Sequence, residues 1–216
     1  MPLSSVARIS VISGVLGALV VSIDILAGRR QKMAIMNLVW PLTALWAGVF
    51  GLLLYLLIGR NKSSSHRSGS FWEGALVGTL HCGAGCTLGD LVAEAFGAMI
   101  PLHVFEHKTF DAWIIDYIAA FIFGVAFQYF SIRQTRNLSF GSELLAALKA
   151  DAASLTSWQL GMYGWMAITL FVLFSPDLPK SSMTFWFMMQ IAMLFGLATA
   201  YPVNCWLLRA GIKEQM

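Results

Sequence analysis

What most constrains this chain is the recurrence of apolar runs about as long as a bilayer core is thick, roughly twenty residues each. They fall at residues 9–27, 35–58, 71–100, 112–130, 156–174 and 183–208. A backbone in lipid has to satisfy its own N–H and C=O groups, and runs of this length do so as helices. The fold expected is therefore all-α: a polytopic membrane bundle of six transmembrane helices, forming one integral domain over residues 1–216. Charged residues make up only 12% of the chain, against about a quarter in soluble domains, so no separate soluble domain is hidden in it. No segment interleaves aromatics with dense Lys and Arg, which excludes nucleic acid as the expected partner. The lipid bilayer is the expected partner, with other membrane subunits or further copies of the chain beside it.

The third run, Phe71 to Ile100, carries His81, Cys82, Cys86, Asp90 and Glu94 near its middle. Ionisable groups at bilayer depth are expensive, so each is a functional-site hypothesis by default. On an unbroken helix, positions four apart drift by only about 40° per step. Cys82, Cys86, Asp90 and Glu94 then form one slowly winding polar stripe, which Asp116 of the next run can face across the bundle. Gly83, Gly85 and Gly89 allow close backbone approach, or local opening of the helix.

Elsewhere the signals are weaker. Asp24 ends the first run beside Arg29, Arg30 and Lys32, an interfacial carboxylate with a basic turn. His103, Glu106 and His107 spell H-x-x-E-H, the inverted zincin pattern, but without a third ligand or a soluble cleft. His103 and His107 stand instead as auxiliary metal or proton groups, or as part of a solvated turn. Residues 141–155 place Leu144, Leu145, Leu148 and Leu155 on one side and Glu143, Lys149 and Asp151 toward the other, as in an amphipathic helix lying in the interface. Met189, Met193 and Asn204 lie near one face of the sixth run, where methionine serves as gap-filling core or as a soft ligand. With six spans, nine Lys and Arg fall on the side of both termini and five on the other. That excess puts both termini in the cytoplasm, although Arg29, Arg30 and Lys32 oppose it.

The phrases LHCGAGCTLGD (Leu80–Asp90), FGVAFQYFSI (Phe123–Ile132), LKADAASLTSWQLGMYGWMA (Leu148–Ala167) and FWFMMQIAMLFGLATAYPVNCWLLRAGIKE (Phe185–Glu214) resemble a bacterial membrane family catalogued as domain of unknown function 4396. The likeness extends back to NLVWPLTALW (Asn37–Trp46). It implies a compact multi-pass protein of the bacterial inner membrane with a His-Cys-x3-Cys element in a span. It brings no settled activity, only a loose link to copper and redox gene contexts. Cys205 departs from the pattern, standing where a bulky aromatic is expected.

Thiolate and imidazole ligands suit Cu(I) or Zn(II) over Ca or Mg. The leading expectation is a membrane protein handling a soft metal ion, most readily copper, by transport or sensing. His81, Cys82 and Cys86 are its ligands, completed by Met189 or Met193. The alternative is a proton-coupled or small-solute channel or transporter using Asp90, Glu94 and Asp116. A structural subunit of a membrane complex is a third reading. An enzyme is not expected: C-x3-C is not the C-x-x-C redox spacing, and a relaxed disulfide does not fit a straight helix.

Overall fold

The computed structural model describes residues 2–60, 70–99, 108–135, 140–175 and 178–213. Helices account for nearly all of them: α1 (Leu3–Leu26), α2 (Met36–Leu54, continued by a π-helical turn Tyr55–Gly59), α3 (Phe71–Met99), α4 (Lys108–Thr135), α5 (Phe140–Ile168, continued by a π-helical turn Thr169–Leu173) and α6 (Met183–Arg209). Among the described residues, five helical stretches are long and apolar enough to cross a membrane: Leu3–Leu26, Met36–Gly59, Phe71–Gly97, Thr109–Arg133 and Met183–Arg209. The protein is a multi-pass helical membrane bundle.

α1 turns Ile9, Ile12, Leu16, Leu19 and Ile23 outward, each more than half exposed, and keeps Ala7, Gly14, Gly17 and Val21 against the bundle. Bulky apolar groups outward and small groups inward is the pattern of a lipid-facing helix, where close packing rather than hydrophobic exclusion holds helices together.

Two elements depart from the six-span expectation. The first is α2. Gly48 leaves the helical region (φ 55°, ψ −130°) and the chain doubles back there. The rings of Trp40 and Tyr55 are 5.8 Å apart, and a β-carbon on Gly59 would lie 2.6 Å from the Trp40 ring. On a straight helix, residues so spaced would be separated by about 22 Å or more. The 35–58 run is thus a helical hairpin rather than a span. Its tip packs on the middle of α1, where Gly48 faces Ser13 and Gly14. Both of its ends return to the end of α1, where Asp24 accepts from Tyr55 Oη at 2.7 Å and Arg60 at 3.2 Å. Arg29 approaches the same carboxylate at 3.5 Å, which confirms its pairing with the basic turn and adds two partners from the hairpin. Non-helical backbone is tolerated at membrane depth only where protein or a polar cavity covers it, and here α1 and α6 do so.

The second departure is α5. The expected interfacial helix 141–155 and the span 156–174 are one continuous helix. It runs antiparallel to α4 along its full length, from Tyr129 against Phe140 at one end to Phe110 against Phe171 at the other. Asp151, set toward water by the amphipathic reading, is buried, and so is Ser154 beside it. Cys82 of α3 hydrogen-bonds to Asp151 Oδ1, and Asn204 of α6 donates to Ser154.

α1, α3, α4, α5 and α6 therefore cross the bundle, and α2 enters and returns. The start of α3 and the end of α6 share one end of the bundle, where the Arg209 guanidinium lies 5.3 Å from the Phe71 ring and 5.6 Å from that of Trp72. The start of α6 and of α1 lie toward the other, as Ser10 donates to Gln190 at 2.7 Å. α1 thus starts at the end of the bundle opposite to where α6 finishes.

Candidate functional site

α3 is unbroken from Phe71 to Met99 and is the most enclosed of the span-length helices. Its glycines serve close approach, not local opening. A β-carbon on Gly85 would stand 2.9 Å from Gly124 Cα, and one on Gly89 would overlap the backbone of Ala120. α3 and α4 are in backbone contact through this i, i+4 pair, which fixes the direction of every other side chain on α3.

Cys82 points toward α5 and α6. Its Sγ is 3.0 Å from Ser154 Oγ, 3.2 Å from Asp151 Oδ1 and 3.2 Å from Lys213 Nζ. Lys213 reaches this point from the turn after α6, where Gly211 takes φ 68°. Its ammonium also donates to Asn204 Oδ1 at 2.8 Å and to the Gly78 carbonyl at 3.4 Å. Asn204 Nδ2 closes the ring by donating to Ser154 Oγ at 2.7 Å. All five side chains are buried. A charged amine in such a place needs a nearby acid, and Asp151 is the one on hand.

His81 takes another direction. Its ring meets that of Phe127 edge to face at 5.7 Å, on the α4 side. The Phe127 backbone is its nearest polar neighbour, yet neither ring nitrogen makes a hydrogen bond of ordinary geometry with the described residues. Cys86 lies in the apolar core with no exposure. Neighbouring positions on a helix diverge by about 100°, so His81 and Cys82 do not converge. Among the described residues no group of three His, Cys, Asp or Glu is placed to hold a metal ion. All three cysteines are free thiols.

Further along α3, Asp90 is 5% exposed and its Oδ1 has no hydrogen-bond partner among the described residues. Asp116 of α4, equally buried, and Glu94 are its acidic neighbours. Glu94 is at the rim, held by Lys180 Nζ at 2.6 Å. Along α3 the four positions of the expected stripe stand in different surroundings: Cys82 in a polar ring, Cys86 in apolar core, Asp90 buried beside Asp116, Glu94 ion-paired at the end.

Met189 and Met193 line a cavity of about 340 Å3 that also takes in Asp90 and excludes Cys82 and Cys86. They do not complete a thiol site. At its wall Gln190 donates from Nε2 to the Leu45 carbonyl, 3.0 Å away near the hairpin tip. His103 and His107 lie outside the described residues.

Sequence reasoning missed Lys213, Asp151 and Ser154. Asp151, Ser154 and Trp158 fall at helical spacing on one side of α5, a signal that was present. Lys213 had none, since only the turn after α6 aims it inward.

These features define a small polytopic membrane protein with a polar site enclosed between its helices. The chain belongs to the family described as Domain of unknown function (DUF4396), whose profile matches residues 71–213. No curated protein and no solved structure matches the chain. The match starts at α3, later than the likeness noted from Asn37. It contains the whole Cys82 ring, with Lys213 as its final residue, and leaves α1 and the hairpin outside.

Proposed function

We propose that this protein moves protons or a small solute across the membrane, with Asp90, Asp116 and Glu94 as its working groups. The observation that carries this reading is Asp90: a buried carboxylate with an unpartnered oxygen, facing a cavity beside a helical hairpin that stops in mid-bundle. Helices interrupted at membrane depth, with backbone and side-chain polar groups turned to a cavity, are how membrane proteins build solute sites. Polar groups also follow α3 along most of its length, from the Lys213 ring at one end, past Asp90 and Asp116, to Glu94 and Lys180 at the other.

Soft-metal handling rests on weaker support, because His81 and Cys82 diverge and an ammonium already stands at the Cys82 sulfur.

Orientation follows from the basic residues. Among the described residues, the end holding the α3 start carries Arg29, Arg30, Lys32, Arg60, Arg133, Lys149, Arg209 and Lys213, eight in all. Among the described residues, Arg8, Lys108 and Lys180 belong to the other end. We place the richer end in the cytoplasm of a bacterial inner membrane. The hairpin removes the objection raised by Arg29, Arg30 and Lys32, which a six-span path puts on the wrong side.

The test is proton flux in proteoliposomes with a trapped pH indicator under an imposed potential. The parent is expected to pass protons above the rate of protein-free vesicles, alone or with added solute, and Asp90→Asn to reduce that rate at least tenfold. Equal rates in the two proteins, or no flux under either condition, overturn the reading.

A further inference from the structure

The cavity beside Asp90 has a composition that selects its occupant. Its walls come from α1, α2, α3 and α6. Trp46, Trp186, Met189, Met193 and Val15 make it almost wholly apolar. Its polar side chains are Thr87, Gln190 and Asp90, with the Trp46 indole N–H unpartnered among the described residues. Thr87 Oγ1 donates to the Gly83 carbonyl at 2.7 Å, and the Gln190 amide is engaged at both ends by Ser10 and Leu45. Asp90 alone among them has an oxygen left over. Its volume, about 340 Å3, is in the usual range for small-molecule pockets, roughly 300–1,000 Å3.

We infer that this cavity binds a lipophilic organic cation, an amine or quaternary ammonium with an apolar body, whose charge pairs with Asp90. The inference rests on the transport reading and gives it a substrate class. A buried carboxylate without a cation beside it, here with Asp116 and Glu94 as acidic neighbours, neutralises itself by taking a proton or a counter-cation. Indole rings favour a weakly hydrated organic cation, and Trp is the strongest aromatic partner for such a charge. Proton and cation then compete for one carboxylate, so cation binding releases a proton. The titratable groups around Asp90 are Asp116 from α4, Glu94 and Cys86 on α3, Tyr163 from α5, and Lys180 through Glu94. Among the residues lining the cavity, α1, α2 and α6 contribute no charged group.

The test is calorimetric titration of the detergent-purified full chain with benzyltrimethylammonium and with neopentylbenzene, its uncharged isostere. The cation is expected to bind at least tenfold more tightly than the isostere, and more tightly as pH rises from 6 to 8, with proton uptake by the buffer. Asp90→Asn should abolish that preference and the pH dependence while leaving isostere binding. Val15→Trp, which fills the cavity from α1, should abolish binding of both. Equal binding of cation and isostere to the parent, or an unchanged preference in Asp90→Asn, overturns the inference and marks the cavity as a seat for a lipid chain. Absence of cation binding in a protein that still conducts protons through Asp90 overturns the substrate class alone. Cation binding as expected without any flux overturns the transport reading and leaves the binding site standing.

Discussion

The ring of Trp40 stands 5.8 Å from that of Tyr55, edge to face, across the two arms of the α2 hairpin. This one contact folds the 35–58 run back on itself. With α2 returning to its own side, α1, α3, α4, α5 and α6 are the helices that run the length of the bundle, and α1 starts at the end opposite to where α6 finishes.

Topology is accordingly the first expectation. A single cysteine introduced at Ser5 and another at Gly211, in a background with the native cysteines replaced, should differ in intact cells. The Ser5 position is expected to react with an impermeant maleimide from outside, and the Gly211 position only after permeabilisation. Equal reactivity at both would restore a six-span path.

The hairpin also sets the cost of filling its turn. A β-carbon on Gly51 would stand 2.7 Å from Ala44 Cα and 2.8 Å from the Thr43 carbonyl, both backbone. Gly51→Ala should destabilise the protein by about 1–3 kcal/mol. Gly48→Ala should cost about 1–2 kcal/mol for its left-handed φ. Gly164→Ala, where an added β-carbon meets nothing within 4 Å, is the control and should not lower the melting temperature. Thermal unfolding in detergent measures all three.

Cys82 bridges Lys213 and Asp151, with contacts of 3.2 Å to each. Removing either charge leaves the other buried and uncompensated. Asp151→Asn and Lys213→Met should each lower stability, and the double variant should recover part of the loss, with a coupling energy of about 1–3 kcal/mol. Additive losses in a double-mutant cycle would show that the two charges do not sense one another.

Thiol chemistry gives a fourth check. Cys82 and Cys86 have no exposure and Cys205 only 7%. The folded protein should resist a polyethylene-glycol maleimide, and detergent denaturation should yield three adducts. Rapid modification of Cys82 in the folded state would mean that the Lys213 turn opens readily.

The helical membrane class was legible from run length alone, and the four-residue ladder on α3 from its spacing. Both are local regularities, which a periodic backbone preserves. The hairpin was not read, although two signs pointed to it: glycines at 48 and 51 within the run, and basic residues flanking both of its ends. The glycines carry no meaning until the turn is seen, and the basic residues stand as an exception to the charge rule on a six-span path. The Cys82 ring was beyond reach for a different reason. Its members lie far apart in sequence, and Asp151 was set toward water because polarity on a helix was equated with exposure. In a membrane bundle a polar face is as readily turned inward, toward another polar face. His81 and Cys82 were joined as ligands on residue type, and helical geometry separates them.

Lys213 follows in chain order every helix whose groups it touches. During synthesis α3 and α5 can pair, and Cys82 can find Asp151, before the ammonium that lies between α3 and α6 has been made. Until then Asp151 has no cation beside it, so the bundle stays electrostatically incomplete up to the turn after α6. Assembly of this protein in the membrane is therefore sealed from its distal end, and a chain halted within α6 would present the quality-control proteases with an open, acid-lined cleft in place of a closed bundle.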